Sequence, residues 1–217
     1  MNAHTSMTET THFQYAHDGA ACSSDYLVRV IGRFIESLPI RARVVDLGCG
    51  NASLLKKVLR PDLSAFGIDA SPSGIHLAAK ALPDAHFYVA DVAGTLPDNV
   101  ALGSFDAVIS TETVEHLLRP RSRVRNAFDL LKPGGALVIS TPYHGYLKNV
   151  VLSLTGSMDA HFTALWDGGH VKFWSRETLC TLLSEAGFEQ FAFVGVGRVP
   201  FLWKSMIIIC RKPQSTI

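Results

Sequence analysis

Two groups of residues in this 217-residue chain have the types and spacings that do chemistry. The first is Glu112-Thr113-Val114-Glu115-His116. If Glu112 opens a helical turn, Glu115 and His116 stand three and four positions on and share its face. Two carboxylates and an imidazole meeting there can hold a divalent ion, and mixed oxygen and nitrogen donors suit Mg, Mn, Fe or Zn about equally. His170, in Gly168-Gly169-His170-Val171-Lys172, is the best candidate for a fourth ligand. Such an ion lowers the pKa of a hydroxyl and turns a poor nucleophile into a good one. Glu115, His116 and His170 are therefore the candidate catalytic residues. Two plainer readings stand beside the metal: His116 as a general base, an imidazole's ordinary pKa of about 6.5 suiting that work, or a helix-capping role for the same residues.

The second group is the loop Asp46-Leu47-Gly48-Cys49-Gly50-Asn51-Ala52, with Asp69 and Asp91 further on. Glycines at 48 and 50 permit a tight turn and a close approach of ligand to backbone, and the helix that follows offers free amide donors. Ser53 stands where a dinucleotide fingerprint has its third glycine, and the phosphate-cradling G-x-x-x-x-G-K-[ST] pattern is absent. Asp46 is placed to meet a cationic group, Asp69 to chelate ribose hydroxyls and Asp91 to accept from an adenine amino group. Three acids at successive strand ends repel a pyrophosphate but suit a sulfonium nucleoside.

The elements that must position these groups alternate. A helix is expected from Ser24, with Leu27, Val30, Ile31, Phe34, Ile35 and Leu38 at three- and four-residue steps. Strands follow at Val44–Leu47, Ala65–Asp69, His86–Asp91, Phe105–Ser110 and Ala136–Thr141, with helices at 54–59, 72–82 and 124–131. Ser71-Pro72 supplies an N-cap and a proline at the first helical position. Near-continuous apolar strands joined by helices mean a parallel sheet covered on both faces. A helix capped by Ser175 and stopped by Gly187 precedes two strands near Phe191–Val196 and Met206–Cys210, whose short connection makes them antiparallel. The expected fold is α/β, a seven-stranded mixed sheet, parallel with an antiparallel edge, with helices on both faces.

Hydrophobic residues at 47% against 18% charged favour one well-filled domain over 24–217, with 1–23 as a polar tail. Lys plus Arg (20) nearly cancels Asp plus Glu (19), which disfavours a partner held by charge alone, nucleic acid above all. Arg119, Arg121, Arg123 and Arg125 alternate by two and line no helix face, so they read as a solvated loop and helix start. Four scattered cysteines and the polar first 20 residues point to a reducing, cytoplasmic setting without a leader. Residues 142–170 break the rhythm and carry Tyr143, His144, Tyr146, His161, Phe162 and Trp166. They read as a lid inserted over the site, and apolar residues within 148–166 suit a planar or lipid-like acceptor or an interfacial membrane contact.

Taken in order, Val44-Val45-Asp46-Leu47-Gly48-Cys49-Gly50, Gly67-Ile68-Asp69, Ala90-Asp91-Val92, Phe105-Asp106-Ala107-Val108 and Leu131-Lys132-Pro133-Gly134-Gly135 resemble the motifs of class I S-adenosylmethionine-dependent methyltransferases. Ala52 departs from the glycine many members carry. The resemblance implies a Rossmann-like seven-stranded fold and S-adenosylmethionine held by Asp46, Gly48, Cys49, Gly50 and Asn51, with Asp69 and Ala70 at the ribose, Asp91 and Val92 at the adenine, and Thr111 and Glu112 alongside. Glu112-x-x-Glu115-His116, with Thr141-Pro142 and the later His170, is similar to two groups: the metal-dependent 2′-O-methyltransferases of small-RNA 3′ ends and the ubiquinone-pathway O-methyltransferases. The leading expectation is methyl transfer to a hydroxyl of a small catechol- or quinol-like acceptor. RNA ribose methylation comes second, and a cofactor-binding protein without catalysis third.

Overall fold

The computed structural model describes residues 24–214, so the expected polar tail lies outside the described residues. Helix α1 (Ser24–Glu36) opens the fold, and its apolar period buries Leu27, Ile31 and Ile35 almost completely. At about 2–3 kcal/mol for each fully buried aliphatic side chain, this stripe anchors the helix to one face of the sheet. The chain then alternates through β1 (Arg43–Leu47), α2 (Ser53–Val58), β2 (Ser64–Asp69), α3 (Pro72–Ala81), β3 (His86–Val89), β4 (Phe105–Ser110), α4 (Pro120–Leu130) and β5 (Leu131–Pro142). Two short helices, α5 (Tyr146–Leu154) and α6 (Met158–Phe162), occupy the inserted segment. Helix α7 (Arg176–Glu185), β6 (Glu189–Val196) and β7 (Ser205–Arg211) close the fold.

The strand order is β3-β2-β1-β4-β5-β7-β6. The first five strands of that order run parallel, and β7 is inserted antiparallel between β5 and β6. The order reverses at β1, between β2 and β4, so the carboxyl ends of β1 and β4 flank the crevice where open α/β sheets bind ligands. One apolar cluster packs α4 and α7 on one face around Phe105, Leu137 and Ile208, and a second packs α1 and α2 on the other around Val44 and Val138.

Local signals held where a side chain closes a backbone bond. The Ser71 hydroxyl accepts from the Gly74 amide with Pro72 at the first helical position, and Ser175 and Thr178 form a reciprocal cap on α7. Gly187 follows that helix at φ 98°. Three boundaries differ from expectation. Helix α4 begins at Pro120 rather than 124, because Pro120 starts the helix and is itself buried. Strand β5 takes in the expected Pro133-Gly134-Gly135 turn, with a register irregularity opposite Phe105 and Ala107. Strand β3 stops at Val89, which leaves Asp91 in the following loop.

Candidate active site

The glycine loop leaves β1 at Leu47 and turns through Gly48 (φ 77°), Gly50 (φ 53°) and Ala52 (φ 57°). Asp69 holds it: one carboxylate oxygen accepts from the Gly50 amide and the other from the Ser71 amide, each at 2.8 Å. The ribose-binding candidate is therefore also the clasp between the first two strand ends. The Gly48 and Cys49 amides bond the Ile68 carbonyl at 2.7 and 3.3 Å, and Asn51 Oδ1 accepts from the Ser53 amide. Ala70 follows Asp69 at the tip of β2 and is partly buried. Asp91 is exposed and caps its own loop by accepting from the Ala93 amide, while Val92 beside it is buried. Ala52 carries its methyl in left-handed backbone, a conformation that costs a non-glycine residue about 1–2 kcal/mol. Ala52 is thus tolerated in the turn under strain, where a glycine would sit without it.

Gly48 is a glycine for a second reason. A Cβ there would fall 2.7 Å from the Thr113 hydroxyl and 3.1 Å from the Arg123 guanidinium. Arg123 is 1% exposed, donates to the Leu47 carbonyl and the Ser110 hydroxyl, and lies within the field of Asp46, Glu115, Asp69 and Asp91. The reading of the four arginines as solvated is corrected at this position. Arg121 pairs with Glu185 and Arg125 with Asp129 at the exposed surface, whereas Arg123 faces inward. Burial lowers the Arg123 pKa to about 10, so it stays cationic at neutral pH. Burial likewise pushes Asp46 up to about 7, opposed by Arg123 and reinforced by Asp69. Asp46 Oδ1 is buried without a hydrogen-bond partner among the described residues. These features fit a cationic ligand in the crevice, which would give that oxygen a partner and the acid cluster a counter-charge.

Beyond β4 the chain passes Thr111 and enters Glu112 at φ 46°, an uncommon conformation for glutamate and one that clusters at functional sites. A single 3₁₀ turn, Val114–His116, follows where an α-helical turn was expected. The four candidate ligands consequently separate. Glu115, His116 and His170 each bring one ligand atom within 4.8 Å of the others. Glu112 is not in that set. Its carboxylate accepts from Ser140 at 2.8 Å and Ser205 at 3.0 Å, and burial raises it to about 7.

The three that converge are well braced. One Glu115 oxygen accepts from Thr141 at 3.0 Å, and the other is buried without a partner among the described residues. His116 Nδ1 lies 2.9 and 3.2 Å from the Gly168 and Gly169 carbonyls, which fixes Nδ1–H as donor and leaves Nε2 a lone pair. The Glu115 carbonyl in turn accepts from the Val171 and Lys172 amides, pinning the segment that carries His170. Burial above all, with the neighbouring His116 and His161 rings, lowers His170 to about 4, so it presents a neutral imidazole.

The segment 142–170 packs above these residues. Trp166 stands edge-on to both His116 and His170, at 5.8 and 5.5 Å. His144 is buried with Nδ1 unpartnered among the described residues, in a cluster with His161, Phe162 and Phe173.

Strand order, glycine loop and strand-end acids together define a class I S-adenosylmethionine-dependent methyltransferase. The chain belongs to the methyltransferase-domain family, whose model matches residues 15–191. It is 28% identical over 202 residues to a ubiquinone biosynthesis O-methyltransferase of Cereibacter sphaeroides, covering 88% of this chain and 80% of the relative. A protein of the same name from Azorhizobium caulinodans is 30% identical over 179 residues, covering 79% and 69%. Among solved structures, the methyltransferase in complex with the Haloferax volcanii Trm112 activator superposes at a TM-score of 0.67 with 17% identity, covering 88% of this chain and 90% of that one. A SAM-dependent methyltransferase from Thermotoga maritima superposes at 0.64 with 17% identity, covering 86% and 89%. At such identities the structural likeness speaks for the fold alone.

Proposed function

We propose that this protein transfers a methyl group from S-adenosylmethionine to a hydroxyl of a small catechol- or quinol-like molecule, assisted by a divalent ion. The observation that carries the reading is the convergence of Glu115, His116 and His170 beside the glycine loop, joined to it through Thr113 against Gly48. The relatives named as ubiquinone biosynthesis O-methyltransferases support oxygen as the acceptor atom.

S-adenosylmethionine, when bound, supplies an electrophilic methyl on sulfur. Asp46, Asp69, Asp91, Val92 and the 48–51 backbone are its proposed holders, with Ala70, Thr111 and Glu112 alongside. The orphaned Glu115 oxygen, the free Nε2 of His116 and the neutral His170 ring fit a divalent ion with mixed donors; such an ion supplies Lewis acidity toward a hydroxyl. The tautomer of His116 also equips Nε2 to take the hydroxyl proton directly. Residues 142–170 exclude water above the acceptor. Exposed Tyr146, Leu154 and Leu165 on that segment support the interfacial contact expected for an apolar acceptor. No helix among the described residues is long and apolar enough to cross a membrane.

Turnover of catechols after chelation and dialysis tests the metal directly. Activity should vanish, return on addition of one of Mg, Mn, Fe or Zn, and leave cofactor binding unchanged throughout. Full activity in the chelated protein would instead assign the proton transfer to His116 alone.

A further inference from the structure

A cleft of about 320 Å³ is lined by Lys148, Val151 and Leu152 of α5 and by Arg198, Val199 and Leu202 of the segment joining β6 to β7. Its walls are aliphatic, and its two charged residues are both cations. Among the described residues neither cation makes an ion pair. Lys148 is 4% exposed, yet its Nζ reaches only the Lys204 carbonyl, at a long 3.4 Å. Arg198 is exposed at the mouth. Burial and then the Arg198 charge lower Lys148 to about 8, and Glu112 opposes them. Both oxygens of Glu112 already accept from Ser140 and Ser205. A nearly buried ammonium with one weak partner and a second cation across an apolar cleft is a costly arrangement unless an anion enters.

We propose that this cleft anchors the methyl acceptor through a carboxylate. The carboxylate sits between Lys148 and Arg198, and the acceptor's apolar body lies on Val151, Leu152, Val199 and Leu202. The acceptor is thereby a catechol- or quinol-like molecule that also carries a carboxylate, rather than a neutral phenol. The identification as an acceptor subsite rests on the methyl-transfer reading of the neighbouring site, to which Lys148 is linked through Glu112. One carboxylate answers the positive charge that the two cations keep against a Glu112 only partly ionised near neutral pH; a phosphate dianion meets or exceeds it.

Two measurements test this separately from methyl transfer. In the first, calorimetry compares 4-butylbenzoate, which has no hydroxyl to methylate, with 4-butylbenzamide and 4-butylphenyl phosphate on the full chain. The benzoate should bind about tenfold or more tighter than the amide, on the scale of one charge-assisted hydrogen bond. Arg198→Met should erase that preference, and because Arg198 is exposed the substitution spares the core; Lys148→Met should erase it as well. Equal affinity for acid and amide, a preference that survives both substitutions, or tighter binding of the phosphate would overturn the subsite. In the second, kcat/KM for 3-(3,4-dihydroxyphenyl)propionate should exceed that for 4-propylcatechol by a similar factor. Benzoate binding without turnover of either catechol sinks the methyl-transfer reading and leaves the anion site standing. Turnover of both catechols at equal efficiency sinks the anchoring role.

Discussion

The guanidinium of Arg123, on α4, donates to the backbone carbonyl of Leu47, the residue that leads β1 into the glycine loop. It stands in the field of both Asp46 on the cofactor side and Glu115 on the acceptor side. One buried cation therefore holds two half-sites together. Replacing Arg123 with Met should destabilise the fold by about 3 kcal/mol, the lower end for removing one partner of a buried charge set. Adding Asp46→Asn to that variant should recover part of the loss above pH 7, where Asp46, without Arg123, must otherwise stay charged or take up a proton. Denaturant melts of the two singles and the double give the coupling; strict additivity would show that Arg123 and Asp46 are independent.

With Asp46 as a proposed holder of the cofactor, its burial should make cofactor binding a proton-linked event. Its folded pKa of about 7 lies above its ordinary 3.8, so the folded protein keeps a proton that the unfolded chain has lost across that interval. Ligand-free stability should accordingly fall as pH rises from about 4 to about 7 and level off above. Glu112, also raised to about 7, adds to the same slope. A bound cation favours the carboxylate, so binding should release a proton below pH 7 and affinity should climb to a plateau near 7. Titrations at pH 6 in two buffers of different ionisation enthalpy read that proton, and identical heats would mean that none is released.

Asp69 clasps the loop and is also the proposed ribose holder, so its substitution should show in two readouts. Asp69→Asn keeps one acceptor oxygen for the Gly50 or Ser71 amide but removes the charge. Cofactor affinity should drop by about 1.5–3 kcal/mol, the worth of a charge-assisted hydrogen bond. The melting temperature should drop only slightly. A large loss of stability with unchanged affinity would reduce Asp69 to a clasp.

The separation of Glu112 from the converging trio makes two glutamates three residues apart behave differently. Glu115→Gln should weaken divalent-ion binding, measured by equilibrium dialysis, by more than the ~10–100-fold of an outer-shell residue. Glu112→Gln should leave ion affinity within that outer-shell range, because its oxygens serve Ser140 and Ser205. Equal losses in the two variants would restore Glu112 as a ligand.

Much of this site was readable before any coordinates. The glycine loop and the acids Asp46 and Asp69 announce themselves because a strand, a tight turn and a helix start each leave a local signature. Glu115, His116 and His170 could be gathered across more than fifty residues because their donor chemistry restricts what they do. Glu112 parts from the other three because the pattern assumes an α-helical turn, whereas its left-handed backbone and the 3₁₀ turn after it send its carboxylate to Ser140 and Ser205. Arg123 was missed because arginines at 119, 121, 123 and 125 look like a solvated run. The available signal was the buried period of α4: Pro120, Arg123, Val124, Ala127 and Leu130 fall on one face once the helix is started at its proline. Lys148 and Arg198 left no signal, since β6 and β7 bring them together only in the folded chain.

The most direct test follows the methyl group itself. The metal-loaded protein is given S-adenosylmethionine labelled at the methyl carbon and a catechol bearing a carboxylate side chain, and the product is read by NMR. The label should appear as an aryl methyl ether on one ring oxygen, with unlabelled S-adenosylhomocysteine formed in equal amount. Label on nitrogen, carbon or the carboxylate, or cofactor bound and never consumed, would contradict the account.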